Sequence, residues 1–342
     1  MTQPGLQLRA QTIALTGAHG LMGRVLLPKL VATGAQVHSL SRTTTASTEN
    51  ITSILGDMQD AASFASLLQG ATSLVHLAGI AHTDLTSDEE RSHARAINVD
   101  ASVALFAAAK HAGVKQAVYM SSAHVYTGQQ GVGLTEQSPA TGDSFYGQLK
   151  LEAEEKIRAL EDDSFRVVIF RPCLTYGPGV RYNLHALMGA VRRGLYVHPG
   201  GHDPLRSFVS AGTVAEAVRY ALQSESMRGT FNLADRVPIQ LSTWVNQIAE
   251  MLHVRKPVSV PYPLLVAVAF AGTLCRALKL PAPLTLQSLH KLTTPFTLNT
   301  DALAATGFAW PDDFSGYQRG MVEAFLQSTS TKTASNSTEP TR

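Results

Sequence analysis

Residues 12 to 24 read Thr12-Ile-Ala-Leu-Thr16-Gly17-Ala-His-Gly20-Leu-Met-Gly23-Arg24. A short apolar run of strand type passes through a GxxGxxG spacing straight into the start of a helix. That order sets backbone amides at a helix N-terminus, where an anion is favoured. Glycines are required there because any side chain would hold a pyrophosphate away. Gly17, His19, Gly20, Leu21, Met22 and Gly23 are the expected cradle, and its place at the first βα turn points to a dinucleotide.

Outward from this turn, Val37 to Leu40, Leu74 to Ala78, Ala117 to Ser121 and Val167 to Phe170 are further strand candidates. Between them, Val99 to Lys110 is rich in Ala and Leu, and Leu149, Ala153, Ile157 and Leu160 recur at helical spacing. Alternating strands and helices predict a parallel sheet with helical crossovers. After Tyr176 the alternation decays into Gly- and Pro-marked loops, with Phe231 to Leu233 as a returning strand. The expected fold is α/β: a Rossmann doubly wound parallel sheet over residues 1–175, with a smaller C-terminal α/β substrate-binding lobe over 176–327. About 206–235 is expected to return to the first domain, and 328–342, with nothing to bury, to be a mobile tail.

Composition narrows the function. With 44% hydrophobic and 16% charged residues in 342, the chain has ample material for a core. Lys plus Arg number 28 against 26 Asp plus Glu, so no broad basic face invites nucleic acid. Cys173 and Cys275 form no bridge framework and read as core thiols. The N-terminal residues lack the pattern of a secretory signal, so the expected location is cytoplasmic. No residue from Pro257 to Cys275 is charged, yet prolines break its start and leave Leu264 to Cys275 too short to span a bilayer. That run reads as a buried helix of the second lobe. The alternative is shallow docking on a membrane surface, helped by Arg276 and Lys279.

Three places carry chemistry. The second strand ends in Ser41 and Arg42 rather than in the acid that hydrogen-bonds the ribose of NAD. A hydroxyl and a guanidinium suit a 2′-phosphate, which favours NADP over NAD. Tyr146 and Lys150 lie four apart on one helical face, where an ammonium beneath a phenol, together with the positive charge of an oxidised nicotinamide, would stabilise phenolate and make Tyr146 a base. Ser121 and Ser122 follow a central strand, at the end of the sheet where ligands bind, so a hydroxyl there can hold the oxygen that Tyr146 deprotonates. His82 and His124 are candidates for a sugar hydroxyl. His198 and His202 flank a Pro-Gly-Gly loop without further clustered ligands, so no metal is expected. Glu152, Glu154, Glu155 and Lys156 read as the wet face of the Tyr146 helix.

The ordered set TGAHGLMG, GDMQD, HLAG, NVDAS, YMSSAHVYTG, YGQLK, FRPCLTYGPG and RSF resembles the extended short-chain dehydrogenase/reductases, specifically the NAD-dependent epimerase/dehydratase group near UDP-glucose 4-epimerases, over roughly residues 12–325. The resemblance implies that Asp57 and Met58 flank the adenine, that Leu77, Ala78 and Gly79 line the pyrophosphate side, and that Asn98 braces the cofactor. It makes Ser122 the catalytic hydroxyl beside Tyr146 and Lys150, with Ser121 near the cofactor, and passes Pro172 and Cys173 by the nicotinamide. It also implies that Asn183 and Arg206 contact a nucleotide diphosphate, and that the protein is a homodimer through Val99 to Lys110 and Phe145 to Leu160. Where dehydrating members carry an Asp-Glu pair, this chain has Ala123 and His124, so elimination lacks its acid and base. The expected activity is a UDP-sugar 4-epimerase. Alternatives are an NADPH-dependent 4-ketoreductase of a nucleotide-linked deoxy- or amino-sugar and, more remotely, a non-catalytic dinucleotide sensor.

Overall fold

The computed structural model describes residues 8–9, 11–43, 46–81, 87–278, 280–282 and 284–336. In chain order the principal elements are β1 (Thr12–Thr16), α1 (Leu21–Val31), β2 (Gln36–Ser41), β3 (Ile51–Leu55), α2 (Ala62–Leu68), β4 (Ser73–His76), α3 (Asp88–Arg95), α4 (Ser102–His111), β5 (Gln116–Met120), α5 (Phe145–Arg158), β6 (Arg166–Pro172), α6 (Asn183–Arg192), α7 (Ala211–Gln223), β7 (Gly229–Leu233), α8 (Leu241–Met251), α9 (Tyr262–Ala277), α10 (Leu286–Thr293), α11 (Asp301–Ala305) and α12 (Phe314–Asn336). The seven strands form one parallel sheet in the order β7-β6-β5-β4-β1-β2-β3. Strand order reverses between β1 and β4, which opens a crevice at their C-terminal ends.

Both faces of the sheet are covered, which is why its strands read as unbroken apolar runs. Successive side chains point to opposite faces. Ile13, Leu15, Val118, Val168 and Phe170 meet Leu26 and Leu30 of α1 and Val214 and Val218 of α7 on one side. Ala14, Ala117, Tyr119, Val167 and Ile169 meet Leu67, Leu105, Phe106, Ala153 and Ile157 from α2, α4 and α5 on the other. Each large side chain so buried contributes about 1.5–3 kcal/mol. A second core joins α6, α8 and α12 through Leu184, Met188, Trp244, Ile248, Met321 and Phe325. Short strands at Gly131–Leu134, Leu205–Arg206, Ile239–Gln240 and Phe296–Leu298 form a four-stranded sheet.

Several expectations change. β3 was not anticipated: Thr52 and Ser53 interrupt its apolar residues, and none of its residues is fully buried. The helix expected from Val99 begins instead as a π-helical stretch, Ala96–Ala101, that leads into α4. The mobile tail expected from Ser328 is helical as far as Asn336. Met321, Val322 and Phe325 anchor α12 in the second core, and the hydroxyls of Ser328 and Thr329 return to the carbonyl of Phe325, so each further residue adds to a helix already nucleated. Residues 337–342 lie outside the described residues. The apolar run read as a buried helix is α9, and only Leu265, Ala269 and Gly272 of it are buried. Cys275, read as a core thiol, is half-buried on the same helix. Among the described residues no helix is long and apolar enough to cross a membrane.

Candidate active site

The first βα turn is built by exclusion. Gly17 has φ +77°, and a Cβ there would stand 2.7 Å from the backbone nitrogen of Ala78 at the end of β4. A Cβ on Gly23 would stand 2.2 Å from the carbonyl oxygen of Gly17. β1, β4 and α1 therefore converge only because these positions lack side chains. Gly20 caps α1 with no side-chain acceptor, so the amides of Leu21, Met22 and Gly23 depend on an outside partner. His19 and Gly20 are exposed beside Leu77, Ala78 and Gly79, and the glycine-bare helix end fits a dinucleotide pyrophosphate. Asn98, in the π-helical stretch, accepts from the amide of Ile80 at 2.8 Å and donates to its carbonyl at 2.8 Å, which braces the loop after β4.

Farther along the crevice, α5 delivers the reactive groups. Ser144 caps its N-terminus by accepting from the amide of Gly147 at 3.1 Å. A Cβ on Gly147 would stand 2.3 Å from the carbonyl oxygen of His124, so glycine lets the first turn press against the segment after β5. That contact brings three predicted residues together. Tyr146 lies near enough to Ser122 for the serine hydroxyl to favour the phenolate. Ser122 Oγ and His124 Nδ1 are 3.1 Å apart, and the His124 ring meets Tyr146 edge-on at 5.6 Å. Burial, reinforced by the charge of Lys291 on α10, lowers the His124 pKa to about 4, so the ring is neutral.

Lys150 lies buried on the same face of α5, one turn beyond Tyr146. Its ammonium donates to the carbonyl of Met120 at 2.9 Å and to the Tyr119 hydroxyl at 3.3 Å, and lies 4.7 Å from the centre of the Tyr119 ring. Burial lowers its pKa to about 8, with the charge of Glu154 opposing. Burial also pushes Tyr146 up to about 12, against which the Ser122 hydrogen bond works only in part. The phenol is thus protonated across the neutral range rather than acidified by the chain's own lysine. One buried turn of helix desolvates both groups, and that cost outweighs their spacing.

Beneath this cluster lies a polar network that sequence reasoning missed. Glu154, read as part of the wet face of α5, is fully buried. It accepts from Arg171 Nε at 3.0 Å and Nη2 at 2.7 Å and receives the Ser121 hydroxyl. Arg171 continues to Tyr126 at 3.2 Å, and Tyr126 donates to Asn232 Oδ1 at 2.5 Å. The signal was present: Tyr146, Lys150 and Glu154 recur every four residues on one helical face. On the other flank of the lysine, buried His76 joins Thr16 at 2.6 Å to Ser102 at 2.9 Å.

Other candidates fall as follows. Ser41 is buried, its hydroxyl accepting from the amide of Thr43 at 3.2 Å, while Arg42 is exposed at the end of β2. Asp57 uses Oδ1 to accept from the amide of Gln59 at 2.9 Å, and half-buried Met58 packs on the α2 side of the core. Pro172 and Cys173 end β6, both buried, and burial raises the Cys173 thiol. Asn183, exposed at the start of α6, and half-buried Arg206 belong to the second lobe rather than to the tyrosine cluster. His198 faces Asn246 at 3.1 Å, and His202 lies over Tyr262 at 4.0 Å. His82 lies outside the described residues.

The profile of the NAD dependent epimerase/dehydratase family matches residues 13–234. UDP-glucose 4-epimerase of Vibrio cholerae is 30% identical over 247 residues, 70% of this chain and 75% of that protein. A 4-hydroxy-2-methyl-3-oxo-4-farnesyl-3,4-dihydroquinoline-1-oxide ketoreductase of Stigmatella aurantiaca is 26% identical over 298 residues, 84% of this chain and 88% of that protein. Among solved structures, MoeE5 in complex with UDP-glucose and NAD superimposes with a TM-score of 0.71 at 23% identity, covering 94% of this chain and 100% of that one. With its glycine turn, its Ser-Tyr-Lys cluster and a profile match over most of its length, the chain belongs to the NAD-dependent epimerase/dehydratase family, a branch of the extended short-chain dehydrogenase/reductases.

Proposed function

We propose that the protein is a UDP-sugar 4-epimerase. The observation that carries this reading is the packing of Tyr146, His124 and Ser122 just beyond the C-terminal end of β5, with Ala123 and His124 where an eliminating enzyme needs paired carboxylates. Tyr146 moves the proton of the sugar C4 hydroxyl, and Ser122 holds that oxygen in line. Neutral His124 orients Ser122, and Lys150 supplies positive charge at the floor of the cleft. A bound dinucleotide supplies the hydride acceptor and donor at C4. Because the chain's own groups leave the phenol protonated, its use as a base calls for a further positive charge beside it, which an oxidised nicotinamide has. The resemblance to the Vibrio cholerae epimerase and the UDP-glucose complex of MoeE5 support the substrate class.

Incubating the protein with UDP-sugars and following the C4 isomers by NMR tests the reading. Isomer formation without net loss of cofactor is expected, and Tyr146→Phe should lower turnover by about 10²–10⁴-fold with the fold intact. Unchanged turnover in that variant would remove the mechanism.

A second reading, an NADPH-dependent 4-ketoreductase, rests on Arg42: β2 ends without an acid, and an exposed guanidinium there suits a 2′-phosphate. The Stigmatella aurantiaca ketoreductase adds to it. Consumption of NADPH in step with a keto-sugar, and tighter binding of NADP than of NAD, would select it. For either activity we infer a cytoplasmic homodimer joined through α4 and α5, where exposed Ala104 and Ala107 permit close approach. A monomer mass by light scattering would reject the dimer.

A further inference from the structure

The helix α9 carries an apolar face that none of the described residues covers. Leu264, Val268, Phe270 and Leu274 are 54–65% exposed, and Leu278 follows at 65%. At 100° per residue these positions share one side of the helix. Its opposite side is seated: Leu265 and Ala269 pack with Leu289 of α10. A Cβ on Gly272 would stand 1.9 Å from the carbonyl oxygen of Leu284, so α9 and the segment leading into α10 are held close together. A contiguous exposed apolar surface of this kind marks a place of association.

Charge selects the occupant. From Met251 to Thr300 the chain has no Asp or Glu, yet it carries Arg255, Lys256, Arg276, Lys279 and Lys291. With a net charge of only +2 overall, the rest of the molecule is net negative. Lys256 is engaged by Glu250 at 2.6 Å, and the remaining basic residues flank the apolar helix or sit on its neighbour α10. Apart from the half-buried thiol of Cys275, a weak donor, the face offers no hydrogen-bonding side chain. Thr273, the polar residue within α9 nearest to it, gives its hydroxyl to the carbonyl of Ala269 at 2.8 Å and receives the amide of Leu286 at 3.0 Å. A protein partner would be met with directional polar groups at its rim. Acyl chains beneath anionic headgroups need none. At 16 residues α9 is about 24 Å long, short of a bilayer's hydrocarbon core of about 30 Å, so the helix would lie in the interface plane.

We propose that α9 docks on an anionic membrane surface, its Leu264, Phe270, Leu274 and Leu278 face among the acyl chains and the flanking basic residues against lipid phosphates. The inference stands apart from the identity of the sugar.

Co-sedimentation of the full chain with vesicles tests it, using phosphatidylcholine alone and an equimolar mixture with phosphatidylglycerol. The protein should pellet with the anionic vesicles, release as salt is raised, and bind phosphatidylcholine far less. Phe270→Glu with Leu274→Glu should abolish pelleting while turnover of a soluble UDP-sugar stays at the wild-type level. Arg276→Gln should weaken binding about fivefold. A wild-type chain that stays in the supernatant with anionic vesicles, or a double variant that pellets as well as wild type, would overturn the proposal. So would a self-associated species in sedimentation velocity that the double variant dissociates without any vesicle binding, since a second copy would then own the face.

Discussion

At the C-terminal ends of β5 and β6, Glu154 and Arg171 are charged and nearly dry; along α9, Phe270 and Leu274 are apolar and stand 65% and 58% exposed. Each arrangement breaks the usual partition of residue types, and each is resolved differently. The carboxylate is held by the guanidinium and by Ser121, and the guanidinium reaches onward to Tyr126, so few polar atoms are left without a partner. The apolar face of α9 has no such internal resolution. A buried charge answered from within holds a site rigid, whereas an exposed apolar face left unanswered points outward to a second body.

The sharpest way to break the first half of this comparison is Glu154→Ala. Removing one partner leaves Arg171 buried and uncompensated, so the unfolding free energy should fall by about 3–5 kcal/mol in urea titration. Replacing both, Glu154→Leu with Arg171→Met, should cost less than either single change, because no charge is left alone. A loss under about 1 kcal/mol for Glu154→Ala would mean that water reaches the carboxylate.

A smaller and pH-dependent effect is expected at His76. Burial first, and then the charge of Lys150, lower its pKa from 6.5 to about 3, so the folded ring stays neutral while the unfolded ring takes up a proton. The neutral ring's contribution is fully present above pH 6.5 and is lost as pH falls toward 3. His76→Asn has no such titration. Its stability deficit relative to wild type should therefore shrink by about 1.4 kcal/mol for each pH unit between pH 6.5 and about 3. A deficit that stays constant from neutral to acid would show that the ring is reached by solvent.

How far these features were legible follows from the same contrast. Six of the seven strands of the main sheet, the glycine turn, and Ser122, Tyr146 and Lys150 are written in local patterns: apolar runs, glycines at fixed offsets, a hydroxyl at a strand's end and a four-residue spacing. Glu154 carries that spacing too, yet a carboxylate among Glu152, Glu155 and Lys156 looks like a solvated face until β6 brings Arg171 across from it. Tyr146 marks a related limit: spacing says which groups share a helical face, but desolvation depends on everything packed around them. In α9 the ambiguity is of another kind. A helix apolar on all sides shows no periodicity from which to tell the covered side, so a core helix and a surface-docking helix look alike until the neighbours are in place.

The smallest expected effect sharpens the second half of the comparison. If the outward face of α9 has no role in holding the fold, Phe270→Glu with Leu274→Glu should change the unfolding free energy by no more than about 0.5 kcal/mol, as for exposed positions generally. The inward face supplies the control. Gly272→Ala would drive a methyl into the carbonyl of Leu284, 1.9 Å from the Cβ position, so the hairpin must shift and the melting temperature should fall clearly. Adjacent positions on one helix would then differ in stability because one side rests on the protein and the other does not. A melting temperature lowered as much by the Phe270 and Leu274 pair as by Gly272→Ala would mean that the exposed face is propped by the chain itself, and the contrast with the Glu154 network would collapse.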